Sequence, residues 1–248
     1  MGRAGPTGGT GAVDPEALWL RPGGSRRGRP PTHTRTEVTS AAIAIADVEG
    51  LGAVTIRRVA ADIGAGAMSL YSYVPDKETL LELMIDQASG EDGLPPSSGD
   101  WRTDLRALAH LQRGLMRRHP WLPSALVFRQ TLGPNTLAAL EYALTALRGT
   151  DLDGQTKMEV IAILTGFVAN YVSREIAQER GAEQGIGQPQ EVADAQARYL
   201  RAVLGGGDYP RLAEVVTSGG NGTASGFDRL LDQLLNGLVP DDRGNQPD

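Results

Sequence analysis

The side chains best placed to do chemistry lie in GAGAMSLYSYVPDKETLL, residues 64–81. Ser69, Ser72, Tyr73 and Lys77 set hydroxyls and a cation at helical spacing on a short segment that Pro75 closes. Such groups exchange hydrogen bonds with a partner, and none has the adjacent base that would make it a nucleophile. Elsewhere the chain has no cysteine and three scattered histidines, with no phosphate-binding glycine loop and no paired metal ligands. Thiol chemistry and disulfides are excluded, and no enzyme, cofactor or metal site is expected. The chemistry expected of this segment is recognition. The alternatives are a helical DNA-binding scaffold without a small-molecule ligand and, a distant third, an all-α enzyme.

An exposed recognition face needs elements to hold it. Thr34 and Glu37 have capping-box spacing, and Val38, Ala41, Ala42, Ile45 and Ala46 then form one apolar stripe, ended by Gly50 and Gly52. Thr55 is the expected N-cap of a second helix, Ile56 to Ile63, which Gly64 closes. A third helix is expected from about Ala67 to Val74, and Asp76 caps a fourth with Leu80, Leu81, Met84 and Ile85 on its apolar face. Residues 56 to 73 have the dimensions of a helix-turn-helix, with Ala60 at the crossing and Gly64 at a turn that favours a left-handed backbone. Leu70, Tyr71 and Val74 fall on the inward stripe, leaving Ala67, Met68, Ser69, Ser72 and Tyr73 outward. A major groove about 12 Å wide accepts one helix whose first residues reach base edges. Thr55, Arg57 and Arg58 start the helix that would cross the phosphate backbone, and Lys77 adds a cation at another helix N-terminus. Double-stranded DNA is the expected partner of residues 34–89.

The same residues carry a resemblance. TIRRVAADIGAGAMSLYSYVPDKETLLELM is similar to the DNA-binding segment of the TetR family of transcriptional regulators, especially members with a tetracycline-repressor-type C-terminal domain. The likeness covers about residues 35 to 90 and continues, more weakly and in the same order, through HPWL (Leu122 last), LGPN (Asn135 last) and LEYAL (Leu144 last). It implies that Arg57 contacts a base or a nearby phosphate and that Ala67, Met68 and Ser69 lie over base edges. It implies phosphate or sugar contacts for Tyr71, Tyr73 and Lys77. Ser72 stands where the family often has an aromatic or basic residue, which implies a leaner groove contact. The function implied is a repressor released from a palindromic operator by a small molecule.

Charge and composition agree with a local rather than a global polyanion contact. Formal net charge is −6, yet Arg26, Arg27, Arg29 and Arg35 fall within eleven residues free of acidic side chains. RRGRPP resembles minor-groove hooks, so Arg27 and Arg29 are expected to reach a groove beside the first helix. Residues 1–33, rich in Gly, Pro and Arg, are expected to be a disordered arm, and 241–248 a disordered tail. The N-terminus shows no secretory pattern, and the longest apolar run, Val160 to Val172, is interrupted by Thr165, Gly166 and Asn170, short of the ~20 residues that span a bilayer. A cytoplasmic protein with no membrane contact is expected.

Residues 90–240 are expected to be a larger helical domain for effector binding and dimerisation. Helices are read near Trp101–Arg118, Trp121–Phe128, Pro134–Leu147, Gln155–Arg180, Gln190–Leu204 and Gly226–Leu238, without strand signals, so the fold class is all-α with an N-terminal three-helix helix-turn-helix head. Met158, Ile161, Thr165, Val168 and Val172 follow a packing seam, and Ala162, Gly166 and Ala169 would allow close approach of another helix. Phe227, Leu230, Leu231, Leu234, Leu235 and Leu238 give the last helix a wide apolar face. Either stripe suits a monomer core; the resemblance implies a four-helix homodimer interface built from both. Met116, Trp121, Phe128, Tyr142, Phe167, Asn170, Tyr171 and Arg174 suit an effector pocket and an ordinary core equally. With Leu108 where a polar drug contact would stand, tetracycline is not the expected effector.

Overall fold

The first α-helix begins where the capping residues place it. In a computed structural model of the chain, Thr34 accepts from the Glu37 amide at 3.1 Å while the Glu37 carboxylate accepts from the Thr34 amide at 2.7 Å. This closed box starts α1, Arg35–Glu49, which stops at Gly50 with φ of +79°. The described residues are 13–20, 33–71, 73–127, 131–183, 190–217 and 226–239, and every regular element among them is helical. Within residues 1–33, expected to be a disordered arm, a five-residue π-helical turn, Glu16–Leu20, buries Leu18 and is tied to α1 where Arg35 donates to the Leu18 carbonyl.

The head is built from α1, α2 (Ile56–Asp62), α3 (Ala67–Leu70) and α4 (Lys77–Ser89). Thr55 caps α2 through the Arg58 amide at 3.1 Å, and Asp76 caps α4 through the Thr79 amide at 2.6 Å. Gly64 turns the chain between α2 and α3 at φ +67°, a conformation costly for any residue with a Cβ. Val38, Ala42, Val59, Leu70, Val74, Leu80 and Met84 are sealed from solvent and form the head's core, where α1 packs on α2 and α4 and α2 on α3. Each of these side chains except Ala42 contributes about 1.5–3 kcal/mol of burial.

The polar stretch from Ser89 to Asp100 reads as a break, but the structure fastens it down. Asp104, 1% exposed, accepts from the Ser97 hydroxyl at 2.8 Å and from the Ser98 amide and hydroxyl, each at 2.7 Å. Asp100 caps α5, Trp101–Arg118, through the Thr103 amide. Then come α6 (Leu122–Val127), α7 (Pro134–Ala146, continued by a 3₁₀ turn to Gly149), α8 (Gly154–Glu183), α9 (Gln190–Gly205), α10 (Pro210–Thr217) and α11 (Gly226–Leu238). The chain divides into two compact units, residues 1–172 and 173–248. The head and α5 to α7 share the first, in which α4 packs on α6 and α7.

Helix α8 departs from expectation in two ways. Its span matches the helix read near Gln155–Arg180, but despite the interruptions at Thr165, Gly166 and Asn170 the stretch Gly154–Gly181 is by length and composition long and apolar enough to cross a membrane. Its seam is also rotated. Val160, Leu164, Val168, Ala169 and Val172 are buried within the chain, whereas Met158 and Ile163 are each 45% exposed beside exposed Ala162 and Gly166. In α11, likewise, Phe227, Leu231 and Leu235 are buried and Leu230 is exposed. Part of each stripe read as a partner interface is core of the monomer.

Candidate DNA interface and effector cavity

The face of α3 is set by a tightened turn. The amides of Tyr73 and Val74 both bond the Leu70 carbonyl at 2.9 Å, which keeps Leu70 and Val74 inside. Regular helical spacing predicts Tyr71 inward as well. Because the helix ends after four residues, the chain winds tighter there and Tyr71 turns outward, 46% exposed. Met68 is 83% exposed, Ser69 is exposed, and Ala67 and Tyr73 are half-buried. Ser72, Arg27 and Arg29 lie outside the described residues.

The cations around α3 differ in their partners. Arg57 is exposed. Arg58 instead holds Glu49 at 2.9 Å and Asp62 at 3.3 Å, and its pKa is raised by the bond and charge of Glu49 first and by Asp62 after it. Much of its charge is therefore already answered within the head. Lys77 donates to the Leu51 carbonyl at 3.1 Å, fixing the start of α4 to the turn after α1.

An open-sided cavity of about 770 Å³, its mouth included, lies among α4, α5, α6, α7 and α8 in the first unit. Leu108, Leu111, Leu115, Met116, Leu126, Leu140 and Ile161 line it with Ser89, Gln112, Thr131, Thr136 and Thr165, and among the described residues no charged side chain does. Gln112 donates to the Thr165 hydroxyl at 3.3 Å, and its buried carbonyl oxygen has no partner among the described residues. Ile161 and Thr165, read from sequence as seam residues, face this cavity. Of the eight side chains expected to bind an effector, Met116 lines it and Phe128 lies outside the described residues. Trp121 is buried elsewhere, bonded to Asp47. Tyr142 keeps a buried hydroxyl without a partner among the described residues, its pKa raised by burial and then by Asp104. Phe167 and Tyr171 stack on each other with centroids 6.0 Å apart, and Asn170 and Arg174 are exposed.

Sequence reasoning missed the residues that connect cavity and head. Asp86, on α4 and 4% exposed, accepts from the amides of Asn135 at 2.9 Å and Thr136 at 3.0 Å, so it satisfies the open N-terminus of α7. The Asn135 side chain returns the contact to Asp86, at its carbonyl (3.0 Å) and carboxylate (3.1 Å). A Cβ at Gly133 would collide with the same carboxylate. LGPN carries the detectable half of this arrangement, a glycine and proline at a helix start; the carboxylate 49 positions away does not announce itself. A second connection joins His119 to Asp47 at 2.8 Å and to Glu91 at 3.0 Å, with the Trp121 indole donating to Asp47 at 2.7 Å.

Known proteins share this architecture. Residues 94–240 match the model of the tetracyclin repressor-like C-terminal domain. The HTH-type transcriptional repressor DrrR1 of Streptomyces coeruleorubidus is 37% identical over 243 residues, covering 96% of this chain and 90% of that protein. Apo ActR from Streptomyces coelicolor superposes with a TM-score of 0.68 at 25% identity, over 85% of this chain and 96% of that one. ActR in complex with actinorhodin gives 0.67 at 26% identity, over 83% and 96%. With the helix-turn-helix head in front and the matched helical domain behind it, this chain belongs to the TetR family of transcriptional regulators.

Proposed function

We propose that the protein is a cytoplasmic homodimeric repressor that grips a palindromic operator with two α3 faces and lets go when a small molecule fills the cavity. The observation that carries this reading is the Asp86 clamp. The turn that gives the cavity Thr131 and Thr136 is bonded to α4, the helix whose first residue, Lys77, stands beside the recognition face. A ligand pressing on that turn therefore acts on α4, and it shifts the head only as far as it binds the two positions differently. On the DNA side, Met68 offers an apolar contact for a thymine methyl and Ser69 a hydroxyl for base edges. Arg57, Tyr71, Tyr73, Lys77 and the capped start of α2 at Thr55 serve the phosphates, with Arg58 and Ser72 as lesser contacts. Arg27 and Arg29 serve a minor groove, on charge alone. The uncharged, mostly apolar cavity suits a neutral ligand.

The exposed strip Met158, Ala162, Ile163 and Gly166 supports dimerisation through α8, which would cover an apolar surface that water otherwise meets. Residues 34–89 are the DNA-binding part, and 90–240 serve effector and dimer. Selection of bound duplexes from a random pool tests the reading. A palindrome of two half-sites is expected, and actinorhodin, bound by ActR, is the first compound to try for release. Recovery of asymmetric or unrelated sequences would remove the operator-binding dimer.

A further inference from the structure

The ring of His119 is caught between carboxylates from two different parts of the chain. The residue follows α5 directly and is 6% exposed. Nδ1 meets Asp47 of α1 at 2.8 Å, and Nε2 meets Glu91, just past α4, at 3.0 Å. The indole N–H of Trp121 shares the same Asp47 oxygen. Arg118 reaches Glu91 at 3.6 Å and pairs more closely with Asp92, so it supports Glu91 from the outer side. Ionised Asp47 and Glu91 accept hydrogen bonds only, and a neutral imidazole has a single N–H. One ring nitrogen of the neutral form would therefore turn its lone pair towards a carboxylate. Both contacts are bonds only in the imidazolium.

We propose that His119 is a positioning residue for operator binding: as a doubly protonated ring it fastens α1 of the head to the α4–α5 connection, and losing that proton loosens the head. A head held in one orientation gives up less freedom when it docks on DNA, so the fastened form binds more tightly. The inference rests on the operator-binding reading above. The direction of titration follows from the surroundings. Burial disfavours the charged ring, but the bonds to Glu91 and Asp47 and their charges outweigh it and hold the pKa above its ordinary value. A raised value means that the fastening is complete below about pH 6.5 and is lost as pH rises through the higher folded value.

The test uses the full chain with isotope-labelled histidine, whose three rings are separable by NMR. His119 is expected to titrate above about 6.5. Glu91→Gln, at an exposed position, removes one charge and is expected to move the midpoint down by about one unit. Affinity for the pool-selected duplex is then followed from about pH 6 to pH 9. Wild type is expected to lose about tenfold more affinity across that range than His119→Gln, whose profile should be flatter. Glu91→Gln should bring the fall to lower pH. A midpoint at or below the ordinary value, or superimposable pH profiles for wild type and His119→Gln, would overturn the proposal. If His119→Gln does not fold, the Glu91→Gln profile decides in its place. If no duplex is selected, the operator-binding reading fails; an unraised midpoint then overturns the fastening, and a raised one that Glu91→Gln lowers supports it.

Discussion

Arg57 and Arg58 are neighbours in sequence with different prospects on DNA. Arg58 is engaged by Glu49 and Asp62, so moving it to a phosphate means exchanging one set of charge contacts for another. Arg57→Ala should reduce operator affinity and lower the slope of log K against log salt by about 0.9, and Arg58→Ala should do markedly less of both. Salt titrations on one duplex decide; equal effects would mean that Arg58 leaves its carboxylates on binding. Tyr73→Ala should weaken binding without a change in thermal melting, since its side chain is only half-buried. Asp104 makes the opposite case, a charge whose role is structural. Burial raises its pKa, yet the bonds from Ser98 first and then Ser97 and Gly99 bring it below the ordinary 3.8. Its contribution is therefore present above that ordinary value and fades as pH falls through the lower folded one. Asp104→Asn should cost about 1–3 kcal/mol at neutral pH, and the gap to wild type should narrow in acid melts.

At the scale of elements, a substitution on the proposed α8 interface and one in the core should behave differently. A Cβ added at Gly166 meets nothing within 4 Å among the described residues. Gly166→Leu should keep or raise monomer stability, by up to about 1 kcal/mol from helix propensity, while weakening the dimer in sedimentation. Leu231→Ala, at a fully buried position, should instead lower stability by about 2–5 kcal/mol. A dimer unaffected by Gly166→Leu would move the contact off this strip of α8. These elements were legible to very different degrees. Helices α1, α5, α7 and α11 were readable to within a residue or two, because capping residues, apolar stripes and the proline that opens α7 are local signals. Around α3 the burial of Leu70 and Val74 and the exposure of Met68 and Ser69 follow the helical spacing, whereas Tyr71 is exposed against it. The eight-residue α10 was not, since PRLAEVVT is short, opens on a proline and ends in β-branched residues. Nor could the stripe of α8 be assigned, because a monomer core, a cavity wall and a partner helix all require apolar side chains at helical spacing. Only packing placed Leu164 inside and Ile163 outside. Trp121 gave an apolar reading, and its indole turned out to serve a carboxylate 74 residues away.

On the scale of the whole molecule, the repressor reading requires that cavity and recognition face be coupled, and coupling is reciprocal. If a ligand in the cavity changes affinity for DNA, then DNA must change affinity for the ligand by the same factor. DNA alone must therefore leave a trace at the cavity wall, which allows a test before any effector is known. Amide exchange of the full chain, with and without the selected duplex, should slow along Thr131–Leu140 when DNA binds, because ordering the head steadies α4 and Asp86 carries that constraint to the first turn of α7. Two amides of the first turn of α7, those of Asn135 and Thr136, donate directly to Asp86 and report the contact itself. Asp86→Ala frees them, so both should exchange faster even without DNA. More tellingly, the DNA-dependent slowing at Ala139 and Leu140, which line the cavity and make no bond to Asp86, should shrink or vanish in the variant. The variant's duplex affinity should stay within about threefold of wild type, because the bonds it loses lie far from the groove face. Undiminished slowing at Ala139 and Leu140 in Asp86→Ala would show that the coupling runs through other contacts between α4 and its neighbours. No slowing in wild type would mean that the cavity does not communicate with the operator at all.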